Sequence, residues 1–216
     1  MAIKKKMLQA AAGVGGAGLD ITDVFSTYLY VGNGSTQTIT NDIDLDGEGG
    51  LVWVKGRNVT TDHQLFDTER GVTQELASNS SAAETADADT LTAFNTDGFS
   101  LGADFNVNGS AKQYVSWTWR KTPKFFDIVT YTGTGTAGLT IPHNLGSVPG
   151  MIIVKLRTAG SNDWSVYHRG YNGGSSPQNY YALLNSSNAS TVNNGYWNNT
   201  APSDTAFTVG ANLRVN

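Results

Sequence analysis

The sequence carries one pattern twice, at an interval of about 100 residues. The first copy runs Tyr30, Gly32, Gly34, Ile39, Leu45, Gly50, Val54, Lys55, Arg57, Asp62 and Phe66, and the second runs Tyr131, Gly133, Gly135, Ile141, Leu145, Gly150, Val154, Lys155, Arg157, Asp163 and Tyr167. Such an interval matches the size of a domain rather than that of a solenoid repeat. The chain is therefore predicted to hold two tandem copies of one unit.

The second copy is shorter than the first at its end. Residues 99–103 match residues 207–211, and Asn108 matches Asn216, but only the first copy goes on to a strand-like run at 114–119. A sheet that lacks its last strand has an open edge, which recruits another strand. Three outcomes stay open: the polypeptide continues and supplies the strand, a neighbouring subunit donates one, or loops of the second copy cap the edge.

Composition favours an all-β fold. Charged residues make up 15% of the chain, against about 25% in an average protein. Its 25 glycines exceed the usual share of roughly 7%, and short apolar or alternating runs end at glycine turns. The sequence predicts two tandem β-sandwich modules of the lectin-like jelly-roll kind. A flexible N-terminal arm would span 1–25, module 1 would span 26–124, and module 2, without the last strand, would span 125–216.

Two predictions concern how strands face the core. Residues 51–55 and 151–155 are nearly continuous apolar runs, which are typical of central strands covered on both faces. Residues 114–119 alternate instead, with Trp117 and Trp119 on one face. Because large aromatic rings usually fill cores, we expect this face to point inward.

Charge and cysteine content exclude several functions. The net charge is −4 and the isoelectric point is about 5.2, which argues against a nucleic-acid partner. The absence of cysteine excludes disulfides and thiolate chemistry. No run of about 18 apolar residues occurs, so we expect no membrane insertion. The chain contains no nucleophile elbow, P-loop or dinucleotide fingerprint, and we expect neither enzymatic activity nor a cofactor.

The sequence gives little support for metal ligands or catalytic groups. Asp42, Asp44 and Asp46 resemble the start of an EF-hand loop, but Trp53 stands at the position of the final glutamate. The second copy has no carboxylate in the equivalent segment. The histidines, His63, His143 and His168, do not have the spacing of metal ligands. The sequence predicts no metal site and no catalytic residue.

Aromatic residues of the second copy are the best candidates for ligand contact. They lie in stretches rich in glycine and asparagine, where exposed rings suit the recognition of sugars or proteins. Packing of the same rings beneath long loops explains the pattern equally well. The candidate residues are Tyr171, Tyr180, Tyr181, Tyr196 and Trp197.

Several segments resemble the tandem domains of tail and tail-fibre proteins of marine tailed bacteriophages. The resemblance covers nearly everything after residue 25, and in that family the pattern usually continues past the point where this sequence stops. The segments that carry it are residues 47–55, 65–67 with Arg70 and Gly71, 96–102, 114–120 and 143–150. The resemblance implies a structural protein of the virion and transfers no catalytic residue.

The same resemblance implies an arrangement in the phage tail. The N-terminal arm would dock on tail hub or baseplate proteins through Lys4, Lys5, Lys6, Met7 and Leu8. The β-modules would face outward, to a host surface receptor or polysaccharide. We expect a tail fibre (its N-terminal part) or a fibre adaptor, assembled as a homotrimer. The alternatives are a carbohydrate-binding module, a fragment of a depolymerase and a capsid decoration protein.

Overall fold

The computed structural model describes residues 18–158 and 160–216. Strands form most of its regular structure, and every described strand pair is antiparallel. The predicted fold class, an all-β protein of sandwich type, is confirmed. The jelly-roll assignment and the module boundaries stay predictions. Among the described helices, none has the length and apolar character needed to cross a bilayer.

The first half of the chain builds a six-stranded and a three-stranded sheet. Their orders are β1-β9-β3-β4-β5-β6 and β2-β8-β7. A helical turn, α1 (Phe105–Asn108), precedes the last strand. The strands are β1 (Phe25–Val31), β2 (Gln37–Thr40), β3 (Gly50–Gly56), β4 (Gln64–Asp67), β5 (Gln74–Ala77), β6 (Thr85–Ala86), β7 (Leu91–Asn95), β8 (Gly98–Leu101) and β9 (Gln113–Arg120).

The second half repeats part of this plan. Its sheets have the orders β11-β12-β13-β14 and β10-β15, and α2 (Asn194–Trp197) is again a single helical turn. The strands are β10 (Leu139–Pro142), β11 (Met151–Val154), β12 (Ser165–His168), β13 (Tyr180–Leu183), β14 (Thr191–Val192) and β15 (Ala206–Val209). These strands correspond to β2, β3, β4, β5, β6 and β8, with the same neighbours, whereas β1, β7 and β9 have no counterpart among the described strands.

Each half has its own hydrophobic cluster, built from matching positions. Ile39, Val54 and Phe99 of the first cluster correspond to Ile141, Val154 and Phe207 of the second. The first and third of these positions lie on the short sheet of each half, and the second lies on the long sheet. The core of each half therefore fills the space between its two sheets. The repeat seen in the sequence is therefore also a repeat of buried positions.

Strand β9 lies inside the long sheet of the first half, between β1 and β3. It pairs with β1 along seven residues and with β3 along seven residues. Gly50 is needed where β3 meets the end of β9, because a Cβ atom there would collide with the carbonyl oxygen of Trp119. Tyr114, Ser116 and Thr118 form its inner face and are completely buried.

The prediction that Trp117 and Trp119 point into the core is wrong. Their rings lie on the outer face of the sheet, where the centroid of Trp117 is 6.0 Å from that of Trp53. Trp119 packs against Phe25 at 5.3 Å and Phe126 at 6.1 Å. The inner face opposes a nearby second sheet, so it carries the smaller Ser116 and Thr118, while the outer face has room for an indole cluster.

The prediction that residues 151–155 form a central strand is also wrong. Strand β11 lies at the edge of its sheet and pairs only with β12 within the described structure. Met151 and Ile153 are 56% and 38% exposed. Their counterparts in β3, Leu51 and Trp53, are partly buried, because β9 runs beside that strand, and no described strand takes this place beside β11.

A buried asparagine ties the end of the first half together. Asn108 is inaccessible to solvent, and its Nδ2 donates hydrogen bonds to the carbonyl oxygens of Gly102 (2.7 Å) and Ser35. Its Oδ1 accepts from the backbone N–H of Asn33 at 3.0 Å. One side chain thus satisfies polar backbone groups on two loops that would otherwise be buried without partners.

Asn216 makes the same set of bonds in the second half. Its Nδ2 donates to the carbonyl oxygens of Gly210 (2.8 Å) and Thr136 (2.7 Å), and its Oδ1 accepts from the N–H of Thr134 at 2.6 Å. The match between Asn108 and Asn216 read from the sequence is therefore a match of structure.

We predict that Asn108→Ala lowers the free energy of unfolding by about 3 kcal/mol, since buried polar groups left unpaired cost about 1–3 kcal/mol each. Asn216→Ala is expected to cost about 1 kcal/mol, because Asn216 is partly exposed and water replaces its partners. Urea unfolding measures both. Asn106→Ala, in the same helical turn, is the control, and an equal loss in Asn106→Ala and Asn108→Ala would contradict the assigned role.

Candidate functional site

A tryptophan of the second half anchors it on the first. Trp164 is 6% exposed and packs against Leu65 and Leu76. Its Nε1–H is shared between the carbonyl oxygens of Ala77 (3.0 Å) and Ser80 (3.1 Å). Such a ring, buried across a contact with its N–H satisfied, resembles the anchor residues of protein interfaces.

An ion network crosses the same junction. The Arg157 guanidinium donates to both oxygens of Glu84, Nη2 to Oε1 at 2.8 Å and Nε to Oε2 at 3.1 Å. Arg70 Nη1 also donates to Glu84 Oε2, at 3.0 Å, and Arg70 Nε bonds Asp67. Because the side chains of Arg70 and Glu84 are nearly buried, the network fixes the orientation of the two halves as well as holding them in contact.

The network changes the acidity of Glu84. Burial raises the pKa of this carboxyl, but hydrogen bonds from Arg157 and Arg70 and their charges outweigh the burial. The pKa of Glu84 therefore lies below its ordinary value, because both guanidinium groups favour the ionised form.

Backbone bonds complete the junction around Ser81. The N–H of Asn162 donates to the Ser81 carbonyl oxygen at 2.9 Å, and Lys155 Nζ donates to the same oxygen at 3.2 Å. The N–H of Glu84 donates to the Arg157 carbonyl oxygen at 3.0 Å. The loop that follows β5 thus binds the second half through both main-chain and side-chain hydrogen bonds.

A cleft of about 310 Å³ opens where the second half meets the first. Residues 128–131 line one part of it and residues 141–144 line another. Lys121 and Glu69 complete the lining and form an ion pair with each other. Burial lowers the pKa of Lys121, but hydrogen bonding and charge from Glu69, with a smaller contribution from Asp127, raise it overall.

The structure separates the five aromatic residues predicted for ligand contact. Tyr196 and Trp197 are 0% and 2% exposed and belong to the core, so neither offers an exposed ring. Tyr181 stacks on Tyr196 with centroids 3.7 Å apart. Tyr171 and Tyr180 lie outside this stacked group and are partly exposed to solvent.

The predicted docking residues of the arm, Lys4, Lys5, Lys6, Met7 and Leu8, lie outside the described residues. The description begins at Gly18. Close to that point Asp20 caps a 3₁₀ turn, Ile21–Asp23, by accepting a hydrogen bond from the N–H of Thr22 at 3.0 Å. The docking role of the arm stays a prediction.

The acidic run that resembles the start of an EF-hand loop lies in the loop after β2. Asp44 Oδ1 accepts from the N–H of Gly47 at 2.8 Å, which stabilises a turn. Across residues 18–158 and 160–216, no group of three or more histidine, aspartate or glutamate side chains is arranged to hold a metal ion.

Both halves and their junction fall within one known family. Residues 20–216 match the sequence profile of a family described as a domain of unknown function, DUF7483. The chain belongs to the DUF7483 family. No curated protein and no solved structure matches it. Since the DUF7483 match spans the junction, the family includes both copies of the repeat.

Glu84→Gln is predicted to weaken the junction and to flatten the pH dependence of stability. Since the folded pKa of Glu84 lies below its unfolded value of about 4.3, the stabilisation is complete above the unfolded pKa and disappears as pH falls through the folded pKa. Compared with the unchanged chain, the variant is less stable at pH 7 and loses less stability below about pH 4.3.

Urea unfolding at a series of pH values measures this difference. Glu48→Gln is the matched control, because Glu48 is an exposed glutamate outside the junction. Curves for Glu84→Gln and the unchanged chain that stay parallel through acid pH would contradict the assignment.

Proposed function

We propose that this DUF7483 protein is a non-enzymatic structural protein of a bacteriophage tail. It acts as a tail fibre, or as the adaptor that carries the fibre, and it assembles as a homotrimer. Residues 1–25 attach it to tail hub or baseplate proteins. The β-units face outward, toward a host receptor or polysaccharide.

The observation that carries the proposal is the set of segments that resemble those of tail and tail-fibre proteins. In the structure these segments are parts of the scaffold: residues 47–55 enter β3, residues 96–102 contain β8, and residues 114–120 lie in β9. Three of the segments fall on β9, β3 and β4, which lie side by side in the long sheet. A likeness concentrated in paired neighbouring strands supports a common architectural role.

The junction supports the same role on physical grounds. A fibre or adaptor must hold successive units in a fixed direction, which a flexible linker does not do. Trp164 and the carboxylate of Glu84 join the two halves by burial, shared hydrogen bonds and two guanidinium contacts. Several copies with weak individual contacts then gain affinity for a surface through avidity.

A carbohydrate-binding module is the second candidate. Tyr171 and Tyr180 favour it, since both rings remain partly exposed in a stretch rich in glycine and asparagine, and exposed aromatic rings suit sugar recognition. Glycan binding by the isolated chain that disappears in both Tyr171→Ala and Tyr180→Ala would favour this candidate.

Immunogold labelling of purified phage particles that carry the gene tests the leading proposal. We expect label on the tails and, in solution, a particle with three times the 23.0 kDa mass of the chain. Label on the capsid surface would favour a decoration protein instead. Absence of the chain from all particles would reject a role in the virion.

A further inference from the structure

Asn41 connects the short sheet of the first half to β9. Its backbone N–H donates to the carbonyl oxygen of Asp97 at 2.9 Å, and its Oδ1 accepts from the N–H of Ile43 at 3.3 Å. Its Nδ2 donates to the Thr118 hydroxyl on the inner face of β9 at 2.8 Å. The Asn41 side chain thus stabilises a local turn through Oδ1 and bonds β9 through Nδ2.

His143 occupies the same place in the second half. Its N–H donates to the carbonyl oxygen of Thr205 at 2.8 Å, and its Nδ1 accepts from the N–H of Leu145 at 3.3 Å. Because Nδ1 accepts, the neutral ring carries its proton on Nε2. That Nε2 is buried and has no partner among the described residues. It corresponds to the Asn41 nitrogen that bonds β9.

Tyr131 corresponds to Tyr30 of β1, so it lies on the other side of the position that β9 fills in the first half. Its hydroxyl donates to the Val215 carbonyl oxygen, as the Tyr30 hydroxyl donates to that of Val107. Tyr30 stacks on Tyr114 of β9 with centroids 5.3 Å apart. Tyr131 lines the cleft instead, so the position that faces an inserted strand in the first half faces open space in the second.

The free edge of β11 is the third boundary of the position equivalent to β9. The Arg169 N–H bonds the Gly150 carbonyl oxygen at 2.9 Å, and hydrogen-bonded pairs alternate along an antiparallel ladder. The N–H and C=O groups of Met151 and Ile153 therefore point away from β12, toward the place that β9 fills beside β3. Their side chains are exposed and apolar.

We propose that the second half is a docking site for an extended strand of a partner polypeptide. The strand runs antiparallel to β11 and enters between β11 and residues 128–131. Its side chains alternate as in β9, with hydroxyl or other small groups inward and aromatic rings outward. A hydroxyl opposite Ile152 accepts the hydrogen bond of His143 Nε2, and a ring opposite Ile153 covers the exposed apolar face.

A partner strand is favoured over a strand from a second copy of the chain. The described strand with this alternation, β9, is already paired on both sides, so a second copy could donate it only by opening its own first half. The inference does not depend on the proposed role in a phage tail, since it rests on the comparison of the two halves.

A peptide with the sequence of residues 112–121 tests the proposal on the complete chain. We expect saturable one-to-one binding in calorimetry, together with slower hydrogen exchange at the amides of Met151 and Ile153. The control peptide is N-methylated at the position of Trp117, which in the first half pairs with Trp53. Loss of that N–H is expected to abolish binding while the apolar side chains stay unchanged.

A double-mutant cycle tests the register. His143→Ala in the chain and Thr→Val at the Thr118 position of the peptide are each expected to weaken binding about fivefold to tenfold, the usual effect of one hydrogen bond. The two changes together are expected to cost no more than one alone. His168→Ala, on the exposed end of β12, is the control and leaves affinity unchanged.

Four results would overturn the proposal. They are the absence of saturable binding, equal binding of the N-methylated peptide, additive effects in the cycle, and faster exchange in β3, which would mean that the peptide displaces β9. Dissociation of chain oligomers by the peptide would assign the place to a second copy rather than to a separate partner.

Discussion

The double pairing of β9 is the interaction on which the architecture of the first half depends. It joins β1 to β3, buries Tyr114 in the core and places two indoles on the outer face. Without an equivalent strand, residues 128–131 form no ladder in the described structure, and β11 becomes an edge. The differences between the halves around this place therefore follow from one missing pairing, because a strand lies in a sheet only when neighbours share its hydrogen bonds.

Positions that the two copies share and positions where they differ have different roles. The shared asparagines, Asn108 and Asn216, close buried backbone groups within each half. The junction combines a position that differs, Trp164 where the first copy has His63, with Arg157, which is matched by Arg57 but bonds Glu84 of the other half. Repetition thus preserves the unit, while the Trp164 contact and the Arg157–Glu84 ion pair join the units.

Sequence reasoning identified most strands and the repeat, but it did not identify their surroundings. Alternation in 114–119 fixed which residues share a face, yet it could not tell which face is inner, because both faces of β9 are covered. The apolar run of β11 was indistinguishable from that of β3. Tyr196 and Trp197 have polar neighbours in sequence but lie in the core. The junction was missed, although the replacement of His63 by Trp164 was a usable signal.

The central claim is that the described second half has a place beside β11 for one more strand. The most direct measurement is hydrogen exchange at Met151 and Ile153 in a chain that carries a second copy of residues 109–120 fused after Asn216. The account predicts that both amides become protected, since the added segment repeats the short connection from Asn108 to β9. Exchange at both amides as fast as in the chain without the fusion would contradict it.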